Sequence, residues 1–255
     1  MNGHNDRIQP ITLAGLAVAL LVSANAAAQS LNYPTKPVRI IVTSGPGVVT
    51  DLNARLVAGK LSAMWGQPVV VENKVGGNAI IGTDAMVKSA PDGRTLLLTT
   101  TGIVQNPATR LKDLPYDTER DIAPVTQMFI VRIMYAVDAK LPANTIGEFL
   151  GLAKASPGKF NFGSYGTGST AHLLATKLNR DSWAGLFAPG ATPERILNKI
   201  SSDVAAVMAM PDVRGWYQDA TIEPASNTPA EFRAIIKRDI DYWRSLVTTT
   251  GMKVD

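Results

Sequence analysis

Two glycine-rich stretches carry residue types suited to holding a small anion. The first is Thr43-Ser44-Gly45-Pro46-Gly47-Val48-Val49-Thr50-Asp51, and the second is Gly163-Ser164-Tyr165-Gly166-Thr167-Gly168-Ser169-Thr170. Each follows a short β-type run and opens a helix-type run. A helix start offers backbone N–H groups without intrahelical partners and a partial positive charge. Glycine lets a ligand approach that backbone closely. A third stretch, Thr100-Thr101-Gly102, follows the run Thr95 to Thr99. The expected ligand contacts are therefore Ser44, Gly45, Pro46, Gly47 and Val48, then Thr100, Thr101 and Gly102, then Tyr165, Gly166, Thr167, Gly168 and Ser169. Thr50 or Asp51 reads as a helix cap rather than a ligand group.

Other chemistries find little support. The chain has no cysteine, and its two histidines are His4 and His172. A histidine–cysteine metal centre, a thiolate nucleophile and a disulfide are excluded. A hydrolytic triad would have to use His172, and no G-x-S-x-G turn accompanies it. Gly166 to Ala171 fits G-x-G-x-x-A, but the acidic residue expected after the next strand is missing. No catalytic residue, cofactor or metal is expected. The formal charge is +4, and no basic cluster exceeds Lys237-Arg238. With aromatic residues at 6%, nucleic acid is a poor partner. A mild positive field suits an acidic small molecule.

The elements that must position these loops alternate. Pro37 to Val42 reads as a strand. Ala54, Val57, Ala58, Leu61, Met64 and Trp65 then recur at helical spacing, with Gly66 as the stop. Pro68 to Val71 is a second strand, Asn78 to Ser89 a helix, and Thr95 to Thr99 a third strand. This order predicts an α/β fold with a mostly parallel sheet and ligand loops at the strands' carboxyl ends. Further strands are expected at Met128 to Val137, Phe160 to Gly163 and Trp183 to Ala188. Thr145 caps a helix through Lys154, and Thr192-Pro193 caps another. Thr228-Pro229-Ala230-Glu231 is a capping box ahead of a long last helix. At the other end, Arg7, the apolar run Ile11 to Val22 and the small residues to Ala28 have the layout of a signal peptide over 1–28.

Several runs in order resemble the Bug family, the extracytoplasmic solute-binding components of tripartite tricarboxylate transporters. Tyr33-Pro34-Thr35-Lys36-Pro37-Val38-Arg39-Ile40-Ile41-Val42 is similar to the family's first strand. Gly45-Pro46-Gly47 with Thr50-Asp51 resembles its P-G-G-x-x-D loop. Gly66-Gln67-Pro68-Val69-Val70-Val71-Glu72-Asn73 and Ala90-Pro91-Asp92-Gly93 follow in place. Leu114-Pro115-Tyr116-Asp117, Asp121-Ile122-Ala123-Pro124-Val125 and Gly185-Leu186-Phe187-Ala188-Pro189 continue the series. The resemblance implies a two-lobed, periplasmic-binding-protein-like (type II) α/β fold with no enzymatic step. It implies a periplasmic location, a small carboxylate solute and integral membrane subunits of a transporter as partners.

Two departures stand out. Val48 replaces the second glycine of the first loop. A long stretch is absent between Asn179 and Trp183, which leaves a shortened second lobe over 129–182. The first lobe is then 29–128 plus 183–255. A non-binding remnant of such a protein is the alternative, and an enzyme using the Gly166 loop for a dinucleotide is a weaker one. Mass spectrometry of the periplasmic fraction should find a mature end near Ala26 or Ala28; an intact Met1 on a cytoplasmic protein would refute export.

Overall fold

The computed structural model describes residues 31–109, 114–132, 136–161, 163 and 182–250. The expected leader, 1–28, lies outside them. The chain divides into Met1–Tyr33 and a compact unit, Pro34–Asp255. In the first, the Tyr33 N–H donates to the Leu31 carbonyl.

The second unit runs β1 Val38–Val42, α1 Val49–Trp65, β2 Val69–Asn73, α2 Ile80–Val87, β3 Thr95–Thr100, α3 Gly102–Thr109 and β4 Ile122–Val131. It continues with α4 Ile146–Ala155, β5 Ser182–Pro189, α5 Glu194–Met208, α6 Pro211–Asp219, β6 Glu223–Pro224 and α7 Pro229–Thr250. The strands form one six-stranded sheet in the order β2-β1-β3-β5-β4-β6. β1 is parallel to both β2 and β3. β5 is antiparallel to β3 and β4, and β6 is antiparallel to β4. The sheet is therefore mixed rather than mostly parallel. The β-α-β-α-β order governs only the first half, because β5 enters between β3 and β4 in the opposite sense.

Both faces of the sheet are covered. On one, Ile41, Leu97, Trp183 and Phe187 pack with Met86 of α2, Ile103 and Val104 of α3, and Phe232, Ile236, Ile240, Trp243 and Leu246 of α7. Strand residues alternate between faces. Ile40, Leu96, Leu98 and Leu186, also buried, turn toward the layer of α1 and α5. The apolar stripe of α5, from Ile196 to Met208, is buried. The stripe of α1 is buried from Ala54 to Leu61, but Met64 is 39% exposed.

The ends of the helices correct some of the expectations. Gly66 ends α1 in the left-handed conformation. Thr145 caps α4 by accepting the Glu148 N–H. The capping box is present: Thr228 Oγ1 accepts the Glu231 N–H, and the Glu231 carboxylate accepts the Thr228 N–H. Thr192, in contrast, caps nothing. The N-cap of α5 is Pro193, and the Thr192 hydroxyl is buried without a hydrogen-bond partner among the described residues. β4 begins at Ile122 and ends at Val131, upstream of the expected Met128 to Val137. Its first eight residues are all buried, so the sequence shows no alternation there. Pro124 suggests a break, yet a register shift between Pro124 and Thr126 accommodates it. Phe160, Asn161 and Gly163 carry no strand.

Gly185 in β5 makes room for a ring: a Cβ there would overlap Phe232. Gly185→Ala should therefore destabilise the protein by about 1–3 kcal/mol or more in urea unfolding, through overpacking. Gly59 in α1 is exposed, with open space where a Cβ would lie. Gly59→Ala should stabilise by about 0.5–1 kcal/mol. Equal midpoints for the two variants would contradict this packing.

Candidate functional site

The parallel half of the sheet gathers loops at one edge. Val42 lies beside Leu98 of β3 and Asn73 of β2. One residue further, the Thr43 and Thr99 hydroxyls share a hydrogen bond of 2.8 Å. The Lys74 N–H donates to the Val42 carbonyl at 2.9 Å. The segments 43–48, 74–79 and 100–102 therefore leave the sheet together, at the carboxyl ends of β1, β2 and β3. Such ends are where open α/β sheets bind ligands.

The first loop is shaped by Asp51. Val48 is the N-cap of α1 and makes no side-chain cap. Asp51 instead reaches back, its Oδ2 accepting the Gly47 N–H at 2.9 Å. The same oxygen accepts Arg55 Nε at 3.0 Å. Its Oδ1 accepts Asn73 Nδ2 at 2.8 Å, and that amide also donates to the Ser44 carbonyl at 2.9 Å. Asp51 is 1% exposed. The Arg55 hydrogen bond, opposed by burial and helped by the Gly47 N–H and Asn73, holds its pKa down at about 2. The expectation that Thr50 or Asp51 caps the helix is not met: Val48 is the N-cap, both residues lie inside the first turn, and Asp51 braces the loop from there.

The predicted contacts differ in what they can still offer. Pro46, Gly47 and Val48 are exposed, while Ser44 and Gly45 are partly buried. The Ser44 Oγ is itself buried, without a hydrogen-bond partner among the described residues. Thr100 is partly exposed. Thr101 is 3% exposed, and its hydroxyl is hydrogen-bonded to Ser182 Oγ at 2.8 Å. That bond commits its side chain to holding β3 against β5. Gly102 is buried because Asn78 stands over it, with Asn78 Oδ1 3.0 Å from where a Cβ would be. Tyr165, Gly166, Thr167, Gly168, Ser169 and His172 lie outside the described residues.

The sequence reading missed the loop between β2 and α2 as part of this edge. Gly76, Gly77, Asn78 and Ala79 all have positive φ, at 135°, 58°, 52° and 76°. Asn78 and Ala79 lack glycine's freedom there, and each costs of order 1–3 kcal/mol of strain. Reciprocal hydrogen bonds hold the segment: Asn78 Nδ2 donates to Asn106 Oδ1 at 3.1 Å, and Asn106 Nδ2 donates to the Asn78 carbonyl at 3.0 Å. The dipeptide Gly76-Gly77 was the available signal.

Among the described residues, no group of three or more histidine, cysteine or acidic side chains could hold a metal. No described helix is long and apolar enough to cross a membrane. The arrangement offers backbone N–H groups and hydroxyls, which can hold an anionic solute.

This α/β fold is that of periplasmic binding proteins. A structure described as a periplasmic transporter is 28% identical, with a TM-score of 0.71, and covers 88% of this chain and 100% of its own. An R. palustris protein solved with adipate has a TM-score of 0.76 at 21% identity, over 87% of this chain and 99% of its own. MatC from Rhodopseudomonas palustris, with bound malate, has a TM-score of 0.68 at 19% identity, over 84% and 100%. Residues 53–182 match the family described as TctC, Tripartite tricarboxylate transporter family receptor. The chain belongs to that family, whose members are receptors rather than enzymes. Protein BugT of Bordetella pertussis is 36% identical over 165 residues, 64% of this chain and 49% of BugT. A protein from the tcbD-tcbE intergenic region of Pseudomonas sp. strain P51 is 24% identical over 311 aligned positions, 92% of each chain. Those 311 positions exceed the 255 residues here, so that alignment contains gaps in this chain. Against BugT, the chain spans about half of the relative's length.

The braced loop has a pH signature. The folded-state pKa of Asp51 is about 2, below the ordinary 3.8. Its stabilisation is complete above about pH 4 and is lost as pH falls toward 2. The contribution is about 2–2.5 kcal/mol. Urea midpoints measured from pH 5 to 2 should fall less steeply for Asp51→Asn than for the parent chain. Parallel curves would show that Asp51 carries no such linkage.

Proposed function

We propose that this receptor captures a small carboxylate at the strand-end loops and delivers it, in the periplasm, to the integral membrane subunits of a tripartite tricarboxylate-type transporter. The observation that carries the reading is the convergence of segments 43–48 and 100–102 on one sheet edge in a chain of this family. Two proteins of the same fold, solved with adipate and with malate, support a carboxylate as the solute. The contacts are Ser44 to Val48, Thr100 to Gly102 and, from the second loop, Tyr165 to Ser169. Thr101 and Gly102 contribute backbone, since their side-chain positions are already occupied or closed. The first lobe comprises 29–128 and 183–255, and the shortened second lobe comprises 129–182.

Affinity requires both lobes. Charge-assisted hydrogen bonds contribute about 1.5–3 kcal/mol each. Micromolar binding needs about 8 kcal/mol net, after association costs of at least ~4. Two or three bonds from one lobe fall short, and closure of the second supplies the remainder. The gaps in the alignment with the Pseudomonas protein favour a second reading, a remnant that no longer binds.

Calorimetry of residues 29–255 with four- to six-carbon dicarboxylates separates the two. Micromolar heats are expected, and no heat with any of them would favour the remnant. Gly45 is the better position for a blocking side chain. It has open space at its Cβ, whereas Gly47 sits at φ +80° and would be strained by any substitution. Gly45→Trp should weaken binding at least tenfold with an unchanged melting temperature. Undiminished affinity in that variant would remove the first loop from the site.

A further inference from the structure

A cavity of about 190 Å³ lies beneath α7. Its walls are Ile103 of α3, Ile122 and Pro124 of β4, Phe187 of β5, and Ile236 and Ile240 of α7. These side chains are apolar, and Ile103, Phe187 and Ile240 are each 1% exposed. An apolar cavity of about 150 Å³ is already large enough to take up benzene. This one therefore has room for a six-membered ring or a short acyl chain.

Its mouth is charged. Arg233 and Lys237, one turn apart on α7, both border it, beside Thr118 and Glu119. Glu119 is paired with Arg244 at 2.9 Å, which leaves its charge balanced. Lys237 has only a loose contact with Asp241 at 3.6 Å, and its side chain is 73% exposed. Arg233 is exposed and makes no ion pair among the described residues. An apolar interior beneath two cations is complementary to a molecule with an apolar body and a single anionic end.

We infer that this cavity is a second ligand site, which takes a small monocarboxylate with an apolar body, such as an aromatic acid, with its ring against Ile122, Pro124 and Ile236 over a floor closed by Ile103, Phe187 and Ile240, and its carboxylate between Arg233 and Lys237. It is distinct from the strand-end site in chemistry. One site offers backbone and hydroxyl donors to a polar solute, and the other offers apolar walls and side-chain cations.

Fluorine NMR of the full protein with 4-fluorobenzoate tests this. A bound resonance is expected at sub-millimolar to millimolar concentrations, displaced by benzoate and not by succinate. The double variant Arg233→Gln/Lys237→Gln changes exposed residues only and should weaken it at least tenfold. Binding of the neutral isostere 4-fluorobenzyl alcohol should change less than twofold in that variant. Ile236→Trp should remove both by filling the space. Gly45→Trp should leave both unchanged, so failure of the strand-end reading is seen separately. No saturable binding by the parent chain would overturn the inference. So would retention of full affinity in the double-charge variant, or loss of the resonance in Gly45→Trp alone.

Discussion

The carboxylate of Asp51 is the constraint on which the strand-end edge depends. It is almost fully buried and would be costly there without partners. Arg55, the Gly47 N–H and the Asn73 amide provide them. Each partner belongs to a different part of the edge: the second turn of α1, the glycine loop and the end of β2. Asn73 extends the link by donating to the Ser44 carbonyl. A loop containing Gly45, Pro46 and Gly47 would otherwise sample many conformations. Here one ionised side chain fixes its entry into α1 and its distance from the neighbouring strand. Such ordering before binding lowers the entropy that a solute must offset.

The sheet places those groups through its change of direction. β1, β2 and β3 run parallel, so their carboxyl ends and loops share one edge. β5 then returns antiparallel between β3 and β4, with Thr100 beside Ala184. The bond from Thr101 to Ser182 closes the junction where β5 begins. Further along β5, Gly185 lets Phe232 of α7 approach the strand. The Trp183 indole donates to Asp239 on the same helix at 2.8 Å. The last helix thus clamps the returning strand, and an element from the end of the chain supports loops read near its beginning.

The sequence made local features legible and left cooperative ones hidden. The glycine loop, the Gly66 stop and the Thr228 capping box each depend on residues within a few positions of one another. The sense of β5 does not, because buried strands carry no mark of direction. β4 was misplaced because burial on both faces erases alternation and Pro124 imitates a break. The helix α3 was missed because it is short and contains Pro107. The inward bond of the Thr101 hydroxyl was also hidden, since nothing local announces Ser182 as its partner. Asn78 gave no warning of positive φ, because what holds it is Asn106, far along the chain.

That last group explains why three loops, rather than two, make this edge. Gly102 has no side chain, and Asn78 occupies the position one would fill. Asn78 can stay there only in a left-handed conformation, which its paired hydrogen bonds to Asn106 offset. Asn106 lies on α3, the helix that Thr101 and Gly102 open. The loop after β2 and the loop after β3 are therefore one interlocked unit, as Asn73 and Asp51 make one unit of β2 and the loop after β1. A solute seated on any one of these segments would rest on all three. Strain at Asn78 and Ala79 is the cost of that interlock, and it falls at the carboxyl ends of the parallel strands.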